Sequence, residues 1–598
     1  MYKDTRARII ESIASFLEEK GISDVSVVLE KSTDTAHGDV STPVAFSVGK
    51  KLGVVPYALA EEIAKHLQVE NIEGILRIEA VRPGFINITF DVYFYASLIA
   101  EIVARPDAFG KNTSLEGKVW AVEHTSPNPN KAMHLGHLRN NLVGMGVGRL
   151  LEACGARVIY EAVDNNRGIA IAKLMAGFLF EMHKKEGDAE TSLGALCGYW
   201  AEHQDEWYTP EELGILPDIF VSQCYIAGDT AGKDPLIDAQ VRELVLLWES
   251  EDEAVWKVWS HVLTYSYAGM DRTLRRLGNR WDVVWHEHEH YKKGKEYVEK
   301  GLALGIFKKL EDGAVLTDLS AYGIPDTILL KRDGTSLYIT QDLALTALKK
   351  EKHHADHLVW VIGPDQTLAM RQLFAVCEQL GIGKVSDFTH VVSGYVGLKG
   401  GDGAFQKMSS RAGTVVLIDD VIDTVRDALK EVVAQKEEEA LLDASVRAEA
   451  LALAAVKFSV LKVERTQDVL FDVEHSVALK GDSGIYVMYT YVRTQSILRK
   501  ARALGKSIEP GPHDVSRDVS HTLLFFPEVI LRAQADFSMH HVAQYLLELS
   551  GVFNRWYAEE IILDGTDNEK YRLAVVTAVG ATIQNALGIM GIQIVEEM

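Results

Sequence analysis

Cysteine is scarce. Cys154, Cys197, Cys224 and Cys377 are four residues in 598, far apart, with no Cys-x-x-Cys pair. That argues against a disulfide framework or a thiolate zinc cage and for a reducing interior. Long apolar runs are missing too: none approaches the ~18 residues that cross a bilayer. The opening MYKDTRARIIESIASFLEEKG reads as an amphipathic helix whose acids interrupt any signal-peptide core. Positive charge is in deficit, with 62 Lys and Arg against 85 Asp and Glu, a net charge of −23. This disfavours a protein that coats nucleic acid through a basic surface, but leaves room for RNA held in a locally basic groove. Internal repeats and low-complexity segments are absent. What is present is ordinary globular composition, 47% hydrophobic and 25% charged, long enough for roughly four domains. The expectation is a large soluble cytoplasmic protein.

The chain reads in four parts. Residues 1–92 form a small α+β module: a helix from Asp4 to Gly21, a second over Pro56–Leu67, and strands at Leu76–Ala80 and Phe85–Phe90 around a Pro83-Gly84 turn. Residues 115–395 alternate strand and helix. Lys118–Glu123 is a short apolar strand, Leu138, Leu142 and Met145 mark a helix closed by Gly155, and Arg157–Val163 is the next strand. Strand, loop, helix and strand make a βαβ unit, hence a parallel sheet with a ligand crevice at its strand ends. A helical insertion occupies about 186–290, acidic and Trp-rich in its first part. Alternation resumes at Leu337–Thr340 and His357–Gly363, followed by a helix over Met370–Leu380. Residues 396–445 connect, with a charged Lys436–Glu439 run, and almost everything in 446–598 reads as helix. The fold class is therefore multidomain α/β: a Rossmann-type parallel-sheet core, a small α+β N-terminal domain and an all-α C-terminal domain.

The most informative stretch is Ser126-Pro-Asn-Pro-Asn-Lys-Ala-Met-His-Leu-Gly-His-Leu-Arg139, between the first strand and its helix. Two prolines stiffen the loop. His134 and His137 fall at the helix start, where free N–H groups and the dipole suit a phosphate. Gly136 lets a purine approach the backbone. A second loop, Lys407-Met-Ser-Ser-Arg411, follows a Gly-rich stretch and places a lysine, two hydroxyls and an arginine where they can neutralise charge at phosphorus.

His134-Leu-Gly-His137 resembles the HIGH signature of class I aminoacyl-tRNA synthetases, and Lys407-Met408-Ser409-Ser410-Arg411 their KMSKS loop. The wording is similar to the arginyl branch of that family. So are His37-Gly38-Asp39, Pro83-Gly84-Phe85-Ile86-Asn87, Asn166-Arg167-Gly168-Ile169, Asp333-Gly334-Thr335, Tyr338 to Asp342, Val361 to Gln366, and Gly588 to Ile592. The resemblance spans nearly the whole chain. It implies ATP-dependent joining of L-arginine to tRNA(Arg) through an arginyl-adenylate, with Mg²⁺ accompanying ATP, no structural metal, no DNA or membrane partner, and a monomer. It places Lys131, His134, Gly136, His137 and the second loop on ATP. Position four of that loop is Ser410 rather than the usual lysine, and Lys131 stands where arginyl members carry a compensating lysine.

For the amino acid, the resemblance implies Glu123, Ser126, Asn128, Tyr338, Asp342 and Gln366. Asp342, supported by Tyr338, is expected on the guanidinium, and Asn128 and Gln366 near the α-amino and carboxylate ends. Glu123 is left as a guanidinium or an ammonium contact. A carboxylate pocket suits the planar guanidinium fork. Phe85 and Asn87 match positions that could stack on and read an unpaired base. The Ile485–Ile508 segment carries Arg493, Arg499, Lys500, Arg502 and Lys506 without an acid, with Tyr486, Tyr489 and Tyr491 nearby. The family's Asp-Ala-Leu-Arg string is altered to Tyr571-Arg-Leu-Ala574. His286, His288 and His290 would line one strand face, the sole metal-like pattern besides a weaker one at His353, His354 and His357. A catalytically idle tRNA-binding paralogue and another HxGH nucleotidyltransferase are the alternatives. The intact loops disfavour the first, and the length disfavours the second.

Overall fold

The structure is a computed structural model that describes residues 2–23, 25–32, 37–185, 192–399, 405–406, 416–434, 443–512 and 517–597. Its centre is a five-stranded parallel sheet in the spatial order 388–392, 357–362, 119–124, 157–164, 283–286. Every neighbouring pair is parallel. Strand order reverses between Val119–His124 and His357–Ile362. The crevice of a doubly wound sheet opens at such a switch point, beyond the carboxyl ends of those strands. Both strands are apolar and buried on both faces, as covering helices require.

The helix Leu135–Ala153 packs tightly on the sheet because its glycines remove bulk. A Cβ on Gly144 would lie 2.2 Å from the His124 Cβ. Gly155, with φ +92°, ends the segment in the left-handed conformation. Among the described residues, the long crossover between strands Arg157–Asp164 and Val283–His286 carries six α-helices, from Ile169–Glu181 to Glu253–Leu277. These bury their own core around Trp200, Trp207, Trp248 and Trp259.

The N-terminal module is a four-stranded antiparallel sheet, 30–31, 40–42, 85–90 and 75–81, backed by helices. It docks on the C-terminal helical domain, and one apolar core runs from Ile9 through Leu138 to Leu587. The latch between them is polar. Asp39, 1% exposed, accepts from Phe90 N at 2.6 Å and from Arg517 at 2.8 Å, while His521 Nε2 meets the Asp39 carbonyl at 2.7 Å.

Three expectations are corrected. Leu337–Thr340 is not strand: Tyr338–His353 is a helix, and Thr340 turns its hydroxyl to the Leu337 N–H as a cap. His286 ends a strand and Glu287–His290 is a helical turn, so the three histidines share no strand face. The helix Glu569–Ile589 is long and apolar enough by composition to cross a membrane, but 72% of its apolar window is buried within the protein.

Candidate active site

The loop after strand Val119–His124 leads into the switch-point crevice. Ser126 Oγ accepts the Val163 N–H at 3.0 Å, and Asn165 Nδ2 donates to Asn128 Oδ1 at 3.2 Å, tying the loop to the next strand. The helix then begins with a cap built by two imidazoles. His134 Nδ1 accepts the Gly136 N–H at 3.1 Å, and His137 Nδ1 accepts the His134 N–H at 3.2 Å. Because each Nδ1 is an acceptor, the ring proton sits on Nε2. Burial, and then the charge of Lys131, push His134 down to about 4. Burial pushes His137 well below the ordinary imidazole range, with His134 and Lys131 adding to it. At neutral pH both rings are therefore neutral N–H donors. Gly136 is required by this arrangement, since a Cβ would lie 2.9 Å from the His134 ring. Half-buried Lys131 brings a cation to the same helix N-terminus, its pKa lowered by burial.

Lys407, Met408, Ser409, Ser410 and Arg411 lie outside the described residues. The chain re-emerges at Val416, whose carbonyl accepts the Leu135 N–H at 2.9 Å, and Ile418 N donates to the Met133 carbonyl at 3.2 Å. The segment following the second loop is thus stitched to the first.

Acidic groups gather under the crevice. Asp342 sits in the second turn of the Tyr338–His353 helix, its side chain accessible but surrounded by protein atoms. That enclosure pushes its carboxyl up to about 7; Glu123 adds to the shift and Lys349 opposes it. Glu123 is 8% exposed and pairs with Lys349 at 2.6 Å. Gln366 lies just beyond the other switch-point strand and donates to Asp365 at 2.8 Å. Tyr338, one turn before Asp342 on the same helix, is 83% exposed.

Three family models match: "Arginyl tRNA synthetase N terminal domain" over 4–90, "tRNA synthetases class I (R), catalytic domain" over 99–473, and "DALR anticodon binding domain" over 487–598. The chain belongs to the arginyl-tRNA synthetase family. An arginine–tRNA ligase of Treponema denticola is 32% identical, covering 95% of this chain and 94% of its own. One from Flavobacterium psychrophilum is 31% identical over 94% and 92%. The solved arginyl-tRNA synthetase of Thermus thermophilus shares the fold at a TM-score of 0.78, with 23% identity over 99% of this chain and 100% of that one.

Elsewhere the family's expected RNA contacts are unevenly placed. Phe85 is half-buried, its ring edge-on to Phe46 at 5.1 Å, and Asn87 is buried in the N-terminal sheet. Arg499 and Lys500 are exposed, though Arg499 also reaches the Glu596 carbonyl at 3.2 Å. Arg493 is held between Tyr489 and Tyr557, each ring 4.8 Å away, and bonds Asn554. Lys506 pairs with Glu569 at 2.8 Å. Acids distant in sequence therefore reach part of the basic segment. Arg572 of the altered string pairs with Glu560 and Asp564.

Sequence reasoning overlooked three buried groups. Arg139, 1% exposed, donates to the carbonyls of Val460, Glu464, Arg465 and Gln467, joining the His134–His137 helix to the C-terminal half. Glu161 and Lys349 underlie the acidic pocket, both 1% exposed. Only the apolar surroundings of these charged residues hinted at burial. His286 and His288 are engaged by Asp164 and Asn166.

Proposed function

We propose that this chain charges tRNA with L-arginine by the two-step route of its family, with the switch-point crevice as the shared site. Arginine's carboxylate attacks the α-phosphate of ATP, pyrophosphate leaves, and a ribose hydroxyl at the tRNA end then takes the acyl group from the adenylate. Neither step needs a protein nucleophile; orientation and charge stabilisation carry both. His134 and His137 supply neutral N–H donors to phosphoryl oxygens. Lys131 supplies the charge that Ser410 cannot. Lys407, Met408, Ser409 and Arg411 of the second signature serve ATP in this reading, by resemblance to the family. Gly136 keeps the helix start open to the adenine.

In this reading Asp342 takes the guanidinium, with Glu123 beside it. Ser126, Asn128 and Gln366 line the α-amino and carboxylate ends, and Tyr338 covers the pocket mouth. Mg²⁺ belongs to the reading as the counterion that accompanies ATP. Among the described residues no group of three or more His, Cys, Asp or Glu side chains gathers to hold a metal. Residues 1–92 contact tRNA around Phe85, 115–395 hold the chemistry, 396–445 carry the second loop, and 446–598 bind the anticodon arm through the exposed Arg499 and Lys500. The protein acts as a cytoplasmic monomer.

The observation that supports this reading is that one strand, Val119–His124, leads at its carboxyl end into a doubly His-capped helix start and sets Glu123 beside the accessible carboxyl of Asp342. The test is aminoacylation of total tRNA with each amino acid in turn. Arginine alone is expected to be charged, and charging with lysine or glutamine instead would overturn the pocket assignment.

A further inference from the structure

Two carboxylates share one rung of the central sheet. Glu123 is in register with Glu161 on the adjoining parallel strand, so both side chains leave the same face. Like charges side by side in a buried face repel. Lys349 comes between them, its Nζ 2.6 Å from Glu123 Oε2 and 3.2 Å from Glu161 Oε2. Trp360, on the other side of Glu123 in the same rung, holds its ring 5.7 Å from that ammonium. Glu161 has further support, from Trp285 Nε1 at 2.7 Å and His353 Nε2 at 2.8 Å. Among the described residues, Lys349 is the side-chain donor on Glu123.

Asp342 lies seven residues before Lys349, on the same helix face. Facing it are Glu123 from the central strand, Glu287 from the helical turn after the last strand, and Lys349 from its own helix. Cys377 of the Thr367–Gln379 helix also neighbours it and stays a neutral thiol, pushed up by burial. Lys349 is faced in turn by Glu123, Glu161 and His290, and His353 reaches Glu161 beside it. Glu287 already has Arg167 at 3.3 Å. The acid next to Asp342 whose countercharge comes from Lys349 is therefore Glu123.

We propose that Lys349 is a positioning residue for the arginine side chain: its ammonium fixes the Glu123 carboxylate and offsets the second negative charge beside Asp342, so that the two acids together can receive one guanidinium. This rests on the reading that Asp342 takes the guanidinium.

The test is pyrophosphate exchange by the full chain with arginine, ATP and tRNA, read as separate KM values and as the acid limb of kcat/KM for arginine. Lys349→Met is expected to raise the arginine KM about tenfold or more while leaving the ATP KM in place, and to move the acid limb to higher pH. Glu123→Gln keeps the Lys349–Glu161 pair and so tests the idea even where Lys349→Met fails to fold. It removes the like charge next to Asp342 and is expected to move the limb to lower pH. In the double variant the limb returns to or below its original position. A purely structural role would move none of these limbs. Unmoved limbs in Glu123→Gln and the double variant, or arginine and ATP KM values rising together, would overturn the proposal. Asp342→Asn separates the two levels. An unchanged arginine KM there overturns the pocket reading itself. A raised KM there with unmoved limbs in the other variants overturns the role of Lys349 alone.

Discussion

Arg517 donates to Asp39 Oδ2 at 2.8 Å across 478 residues of chain, and to the Phe90 carbonyl at 3.0 Å. This ion pair locks the N-terminal module to the helical C-terminal domain. Its carboxylate is 1% exposed, so removing the arginine leaves a buried charge unpaired. Arg517→Met is expected to cost about 3 kcal/mol. Thermal unfolding of the full chain should fall, and limited proteolysis should release the first module. Wild-type resistance would show the latch to be dispensable.

The His134–His137 cap carries a pH signature. His124, His134 and His290 are pushed down to about 3, 4 and 4, each mainly by burial. The unfolded chain takes up protons near pH 6.5, whereas the native chain resists until its lowered values. Stability is therefore full above about 6.5 and is lost as pH falls toward 4. Melting temperature against pH should show this slope, and His134→Asn should flatten it. An identical slope in the variant would count against the assignment.

Lys131 stands at the helix start rather than in the acidic pocket. Lys131→Ala is expected to slow adenylate formation about 100-fold while shifting the arginine KM less than about twofold. Single-turnover adenylate synthesis and arginine titration separate the two quantities. Equal turnover would remove Lys131 from the phosphate site.

Arg139 holds four carbonyls of the C-terminal half. Arg139→Met orphans the buried Val460 carbonyl and unties the partly exposed 464–467 turn from the helix. A loss of about 3 kcal/mol or more is expected, together with slower adenylate formation because the His134–His137 helix loses its anchor. Chemical denaturation and exchange assays on one preparation would test both halves of this expectation.

Within the basic segment, exposure decides function. Lys500→Ala should lower the slope of log affinity for tRNA against log salt by about 1. Arg493→Ala should leave the slope and weaken folding, because its guanidinium is spent between Tyr489 and Tyr557. The reverse pattern would reassign the two residues.

Local regularities made much of the architecture readable. The strand before Ser126, the helix after His134 and the strand from Arg157 follow from apolar spacing and from Gly155. Leu337–Thr340 misled because a short apolar run has no period of its own, and the cap at Thr340 decided for helix. Tyr338 and Asp342 share a helix face as their spacing required, but spacing could not tell that one would stand in solvent and the other in a crowded cleft. The acid-free segment around Arg493 looked uniformly basic because Glu569 and Glu597 lie too far along the chain to be counted with it.

By itself the sequence determined the order of elements, the two signature loops and, through their wording, the family. Those depend on neighbours within a few turns, where backbone geometry and side-chain period act. Only the tertiary structure decided which charges face one another. Lys349 finds Glu123 across 226 residues and Arg139 finds Val460 across 321. The first pair forms because parallel strands in register set Glu123 beside Glu161 in a dry layer, and the second because a buried guanidinium needs acceptors; in both, a charge without a partner is too costly to keep. That cost depends on burial, and burial belongs to the folded chain as a whole.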